Sequence, residues 1–293
     1  MDLAHRGASL QKGEWGRLLI LAGSIQFAGA AVLTTRAALR TGLDIVVLAA
    51  PERAANAALH AAPDAITLAV PARHFEKSHL KYLSHFKSYP VAVGSGLMVN
   101  AGVGKFLKSV LSDFKGPFVL DADALRIIAG EKSAAKLWKN KQVILTPNRA
   151  EYGMLAGEKQ PHPLNSIKAI AQKYRATILC KGRTDVISDG ERIEEISGGT
   201  SYLAKAGTGD VLTGIVGAIV SRGVPPFDAC VAAARLLKQT GTELERSKGP
   251  ALLASDIIEH LDLRKLKGEQ HTHHHGQSKK APKEPTKVTV EPG

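Results

Sequence analysis

Along the first 260 or so residues, short apolar runs alternate with longer stretches in which apolar and polar positions recur at helical spacing. Arg17-Leu18-Leu19-Ile20-Leu21 predicts a strand and Ala30 to Arg40 a helix. Strands at Asp44–Leu48 and Ala65–Leu68 flank a helix at Glu52–His60, and a polar helix is expected near residues 73–87. Val91–Val93 and Phe118–Leu120 read as strands around a helix over 100–113. Gln142–Leu145, Thr177–Cys180 and Asp185–Ser188 continue the strand series, and long helices are predicted over 209–221 and 227–246. Near-continuous β-branched runs between helices indicate a buried, mostly parallel sheet covered on both faces, a three-layer α/β/α fold. Ligands of such sheets bind outside the carboxyl ends of the strands. Residues just beyond each strand therefore carry the functional question.

From about Lys265 the pattern stops. Gly, Pro, Lys, Gln, Thr and His dominate, with little apolar surface to offset ordering entropy. The expected organisation is one α/β domain over 1–263 and a disordered basic tail over 264–293. His271-Thr272-His273-His274-His275 in that tail is either an adventitious metal binder or plain solvated chain. The net charge is +12; the last 30 residues hold seven Lys/Arg against three acids, leaving +8 on the body. No basic stripe with interleaved aromatics appears there, so the surplus suits a nucleotide-sized anion rather than nucleic acid. No apolar run reaches the roughly 18 residues of a membrane span, and the start lacks a basic-then-apolar signal. Cys180 and Cys230 sit in apolar contexts and read as buried thiols, so a cytoplasmic protein is expected.

The most telling chemistry is Ala206-Gly207-Thr208-Gly209-Asp210 ahead of the apolar run Val211–Val220. Bare backbone N–H groups at a helix start, with the macrodipole, form an anion site. A carboxylate beside it adds a base, the minimum for moving a phosphoryl group onto a hydroxyl. Taken alone, the run reads more readily as an ordinary helix cap. Four strand ends add to it. Gly94-Ser95-Gly96 is either a ligand-approach turn or a tight connection. Asp121 and Asp123 either bind Mg²⁺ through water or cap a helix. Thr146-Pro147-Asn148 leads to Glu151 in the first turn of a helix, and Lys181-Gly182-Arg183-Thr184 places a cation and a flexible joint at a strand end.

With these residues in place, the order of motifs over roughly residues 10–262 resembles the NAD(P)H-hydrate dehydratases of the ribokinase-like superfamily. The resembling segments are Lys12-Gly13-Glu14-Trp15-Gly16-Arg17, Ala22-Gly23-Ser24 with Ala28-Gly29-Ala30, and Gly94-Ser95-Gly96-Leu97. Leu120 to Leu125, Leu145-Thr146-Pro147 with Glu151, Lys181-Gly182, Gly207 to Asp210 and Leu253 to Asp256 complete the series. The resemblance implies repair of hydrated NADH and NADPH: ADP or ATP phosphorylates the hydroxyl at C6 of the ring, and phosphate then leaves. It implies Asp210 as catalytic base. It implies Ala30, Gly96, Asn148 and Asp210 as substrate contacts. Lys181, Gly182, Arg183, Thr184, Asp185, Gly207, Thr208 and Gly209 would contact the adenine nucleotide. Mg²⁺ would bridge the phosphates near Glu151, Asp121 and Asp123 through water, and a homo-oligomer, tetramer or dimer, is expected.

The chain departs from the family pattern at three places. Asn148-Arg149-Ala150-Glu151 stands where the family has His-Pro-Gly-Glu, and an amide cannot change charge near neutral pH. Met98 follows the glycine turn. Lys205 precedes the anion loop, where it either adds phosphate affinity or faces solvent. These departures keep two other functions open, a small-alcohol kinase of the same fold and a non-catalytic nucleotide binder.

Overall fold

The computed structural model describes residues 3–131, 133–159 and 161–266. His271 to His275, and the rest of the expected tail beyond Leu266, lie outside the described residues. Among the described residues, nine strands form one sheet: β1 (Arg17–Leu21), β2 (Ile45–Pro51), β3 (Ile66–Val70), β4 (Val91–Val93), β5 (Phe118–Leu120), β6 (Val143–Leu145), β7 (Thr177–Cys180), β8 (Asp185–Ser188) and β9 (Ile193–Ile196). Their order is β3-β2-β1-β4-β5-β6-β7-β8-β9, parallel from β3 to β7 and antiparallel across β7-β8-β9.

The sheet is buried because its inner strands divide their side chains between two apolar layers. In β1, Leu18 and Ile20 join one core while Leu19 and Leu21 join the other. The first core is completed by helices α1 (Ala28–Arg40), α2 (Glu52–Ala61), α7 (Thr208–Val220), α8 (Pro226–Lys248) and α9 (Ala254–Glu259). The second is completed by α3 (Ala101–Asp113), α4 (Ala122–Ala129), α5 (Arg149–Ala156), α6 (Pro163–Tyr174) and a 3₁₀ stretch over Lys77–Phe86. α7 is buried along nearly its whole length and lies against α1, so its N-terminus is held rigidly. The chain stays folded slightly past the expected boundary: Leu263–Leu266 forms a 3₁₀ turn, and Lys265 pairs with Glu243 on α8. No helix among the described residues is long and apolar enough to cross a membrane.

The strand order reverses between β1 and β4, since the chain leaves β1 towards β2 and β3 and returns to the other side of β1. A crevice is expected at the carboxyl ends of these two strands. There the two loops meet: the Gly23 N–H donates to Ser95 O at 2.8 Å. The Lys12–Gly16 segment lies before β1, at the opposite edge. Its Gly13 and Trp15 N–H groups donate to Asp44, which also pairs with Arg6, and the Arg222 guanidinium covers the Trp15 ring. That motif clips the far side of the fold and takes no part in the site.

Candidate active site

The anion loop is built by two constraints. Gly207 adopts a φ of 91°, and a Cβ there would sit 2.6 Å from Leu33 Cδ1 and 3.0 Å from Ala254 Cβ. Only glycine turns the chain into α7 at this point without strain. The first intrahelical bond reaching back is Val211 N–H to Gly207 O at 3.0 Å, and the N–H groups of Gly209 and Asp210 have no acceptor among the described residues. The Thr208 hydroxyl is buried with no protein partner. Free donors, a spare hydroxyl and the positive end of a 13-residue helix make an anion seat.

Asp210 opens the first turn of α7 and reaches the β4 turn, where the Ser95 hydroxyl hydrogen-bonds to it. The Thr34 hydroxyl on α1 lies 3.2 Å from Ser95 Oγ and 3.0 Å from Ala30 O. Gly94 permits this closeness: at φ 136° its backbone passes so near β5 that a Cβ would fall 1.9 Å from Asp121 O. Burial and the Asp121 charge, opposed by the Ser95 hydrogen bond and Lys181, push the Asp210 carboxyl up to about 7. A carboxyl balanced at that value is half-ionised near neutrality.

Beneath the seat lies a buried ion pair. Lys181 Nζ donates to Asp121 Oδ1 at 2.7 Å, and the Thr213 hydroxyl donates to Asp121 Oδ2 at 2.8 Å. Burial works against the lysine charge, but Asp121, Glu151 and Asp210 outweigh it and hold the ammonium above its ordinary range. Glu151 and Asn148 form a reciprocal capping box at the start of α5: Asn148 N–H donates to Glu151 Oε2 at 3.0 Å, and Glu151 N–H to Asn148 Oδ1 at 2.9 Å. Burial raises the Glu151 carboxyl, against the Lys181 charge. Asp123 accepts from Met98 N–H at 2.9 Å, which fixes the glycine turn.

Several expected site residues thus converge. Ala30 and Gly96 are neighbours: a Cβ on Gly96 would lie 3.1 Å from Ala30 Cβ. Gly209 sits over Lys181, whose Nζ is 3.2 Å from where its Cβ would be. Asp121, Asp123, Lys181 and Asp210 share one electrostatic cluster. Asn148 is exposed at its rim, joined through Pro147 O, which accepts from Lys181 N–H at 2.8 Å. Two expectations change, at Asp185 and Lys205. Asp185 is turned inward, accepting from Gly182 N–H at 2.8 Å and pairing with Lys238 at 3.5 Å, so it shapes the turn from within. Asp121 has both oxygens engaged, and among the described residues no three acid, His or Cys side chains converge to ligate a metal directly. Lys205 is half-buried and turned away from the anion loop; its ammonium is taken by the Pro250 and Leu252 carbonyls, the latter at 2.8 Å. Sequence reasoning missed Thr213, although it stands three residues after Asp210, and it counted Ser95 only as part of a glycine turn.

Comparison with known proteins separates class from family. A ribokinase-like superfamily protein from Enterococcus faecalis superposes with a TM-score of 0.78 at 21% identity, over 89% of this chain and 91% of its own; this establishes the ribokinase-like fold. The NAD(P)H-hydrate dehydratase family model matches residues 18–263. The chain belongs to that family. It is 35% identical to a bifunctional NAD(P)H-hydrate repair enzyme of Pyrobaculum aerophilum, over 87% of this chain and 52% of the relative. It is 32% identical to an ADP-dependent (S)-NAD(P)H-hydrate dehydratase of Cenarchaeum symbiosum, over 86% and 88% of the two chains. The ADP/ATP-dependent dehydratase of Bacillus subtilis, co-crystallised with ATP and Mg²⁺, superposes with a TM-score of 0.74 at 27% identity, over 89% and 92%. The chain spans about half the length of the bifunctional relatives it matches.

Proposed function

We propose that this chain dehydrates C6-hydrated NADH and NADPH back to the working cofactors, with ADP or ATP as phosphoryl donor. The carrying observation is the Asp210 carboxyl, raised to about 7, beside the free N–H groups of Gly209 and Asp210. The family, the named dehydratase relatives and the ATP-bound neighbour support the same assignment.

Asp210 takes the proton of the ring hydroxyl as its oxygen attacks the terminal phosphorus, and the bond to the bridging oxygen of the nucleotide breaks. The Gly209 and Asp210 N–H groups, with the Thr208 hydroxyl, hold the charge that develops on the phosphoryl oxygens. Lys181, kept charged by Asp121, adds a fixed cation below them. The ring nitrogen lone pair then expels phosphate from C6, a proton leaves C5, and the double bond of the reduced nicotinamide is restored. Mg²⁺ fits as a hydrated ion: Asp121, Asp123 and Glu151 have oxygens committed within the protein, yet these three carboxylates outnumber Lys181 and Arg126, the two cations paired with them. It would be held by these acids through water and would neutralise the nucleotide phosphates.

Incubation of the protein with hydrated NADH plus ADP or ATP tests the reading. Recovery of the near-ultraviolet absorbance of NADH is expected with at least one nucleotide; no recovery with either contradicts it. The pH dependence follows from Asp210. Below about 7 its carboxyl holds a proton and cannot accept another. kcat/KM therefore rises with pH through that value and levels off above it. A profile flat from about pH 6 to 8 would remove Asp210 as the base.

A further inference from the structure

One buried charge takes no part in the chemistry above. Lys238 lies in α8, 6% exposed, on the buried face of the helix. Its ammonium reaches across to the β7–β8 turn and meets three oxygens: Arg183 O at 2.9 Å, Gly182 O at 3.2 Å and Asp185 Oδ1 at 3.5 Å. Asp185 in turn accepts from Gly182 N–H at 2.8 Å. The turn is thus held from its inner side by one side chain of a different layer.

That grip has a geometric consequence. In a trans peptide the carbonyl and the N–H of the same unit point in opposite directions. Drawing the Gly182 and Arg183 carbonyls towards Lys238 turns the N–H groups of Arg183 and Thr184 away from it. Neither N–H has an acceptor among the described residues. Two adjacent, unused main-chain donors on one side of a turn form a concavity suited to an electron-rich acceptor. The turn starts at Lys181, whose ammonium lies under the anion loop.

The structure assigns Lys238 as a positioning residue that, with Asp185, aims the Arg183 and Thr184 N–H groups at acceptor atoms of the adenine nucleotide; this rests on the function proposed above. Lys238 sets nucleotide affinity without touching nucleotide or substrate. Asp185 keeps the buried ammonium paired and ties down the near side of the turn.

The test compares the full chain with Lys238→Met and with the charge-balanced double variant Lys238→Met/Asp185→Asn, which leaves no unpaired buried carboxylate. Affinity for ADP and ATP is read by calorimetry, turnover of hydrated NADH is read separately, and melting temperature reports folding. The double variant is expected to melt near the parent and to bind nucleotide about tenfold more weakly, while its KM for hydrated NADH moves less than about twofold. A merely structural lysine would move the melting temperature and leave this split absent. A folded double variant that binds nucleotide as tightly as the parent overturns the assignment, even if the parent restores NADH. A parent that binds nucleotide, loses that affinity in the variants and yet leaves hydrated NADH untouched supports the assignment and defeats the functional reading. A parent that binds neither ADP nor ATP overturns both.

Discussion

Asp210→Asn lowers turnover of hydrated NADH at least about a hundredfold, because the amide occupies the same space but cannot take a proton. Steady-state rates of parent and variant, measured at saturating nucleotide, check this. The same substitution raises stability. The folded carboxyl titrates at about 7 against an ordinary 3.8. From about pH 4 to 7 the folded state therefore holds a proton that the unfolded chain has released, and parent stability falls as pH rises across that window. The amide has no such dependence. The variant is expected to melt about 2–4 °C above the parent at pH 8, with the gap closing towards pH 4. A variant that turns over like the parent would remove the base; one that melts lower at pH 8 would show that the carboxylate stabilises the fold instead of straining it.

The second large effect is on the ion pair below the anion seat. Asp121 is 2% exposed and accepts from both Lys181 and Thr213. Asp121→Ala leaves a buried ammonium without its partner, which costs about 3–5 kcal/mol and lowers the melting temperature by on the order of 10 °C. Asp121→Asn retains an acceptor and a smaller loss is expected. Nucleotide affinity falls with the alanine variant, since the lysine loses what holds it charged and in place. Thermal melts of both variants decide the matter: an Asp121→Ala protein that melts within about 2 °C of the parent would show that the pair carries no such load.

Much of this architecture was legible in the sequence. The bounds of β1, β4, β5, β7 and β8 match their apolar runs residue for residue, because strands buried on both faces leave no polar alternation to blur them. The segment near 73–87, expected as a helix, forms 3₁₀ turns over Lys77–Phe86. Only Leu83 is buried within it, so no continuous apolar stripe enforces the α-helical period. α6 went unrecognised although Pro163 opens it and Ile167, Ile170, Ala171 and Tyr174 mark its buried face. β9 was hidden by Glu194 and Glu195, which an edge strand tolerates.

The site divides along the same line. Glycines and acids just after strands were readable because topology alone carries them to one edge, and Ala30, Gly96, Lys181, Gly209 and Asp210 meet there. What was not readable depends on which oxygen a long side chain reaches. Asp185 has a nucleotide-contact position in the motif, but Lys238, 53 residues later in a different layer, turns it inward. Lys205, beside the anion loop in sequence, is captured by carbonyls near residue 250. No local pattern encodes either choice.

The central claim is that phosphorylation at this site is a step towards dehydration. Its most direct test counts moles of inorganic phosphate released and of NADPH restored when the chain is incubated with hydrated NADPH and the better of ADP and ATP. The account predicts equal amounts of the two, appearing together. Accumulation of a stable phosphorylated nucleotide with no NADPH restored would contradict it.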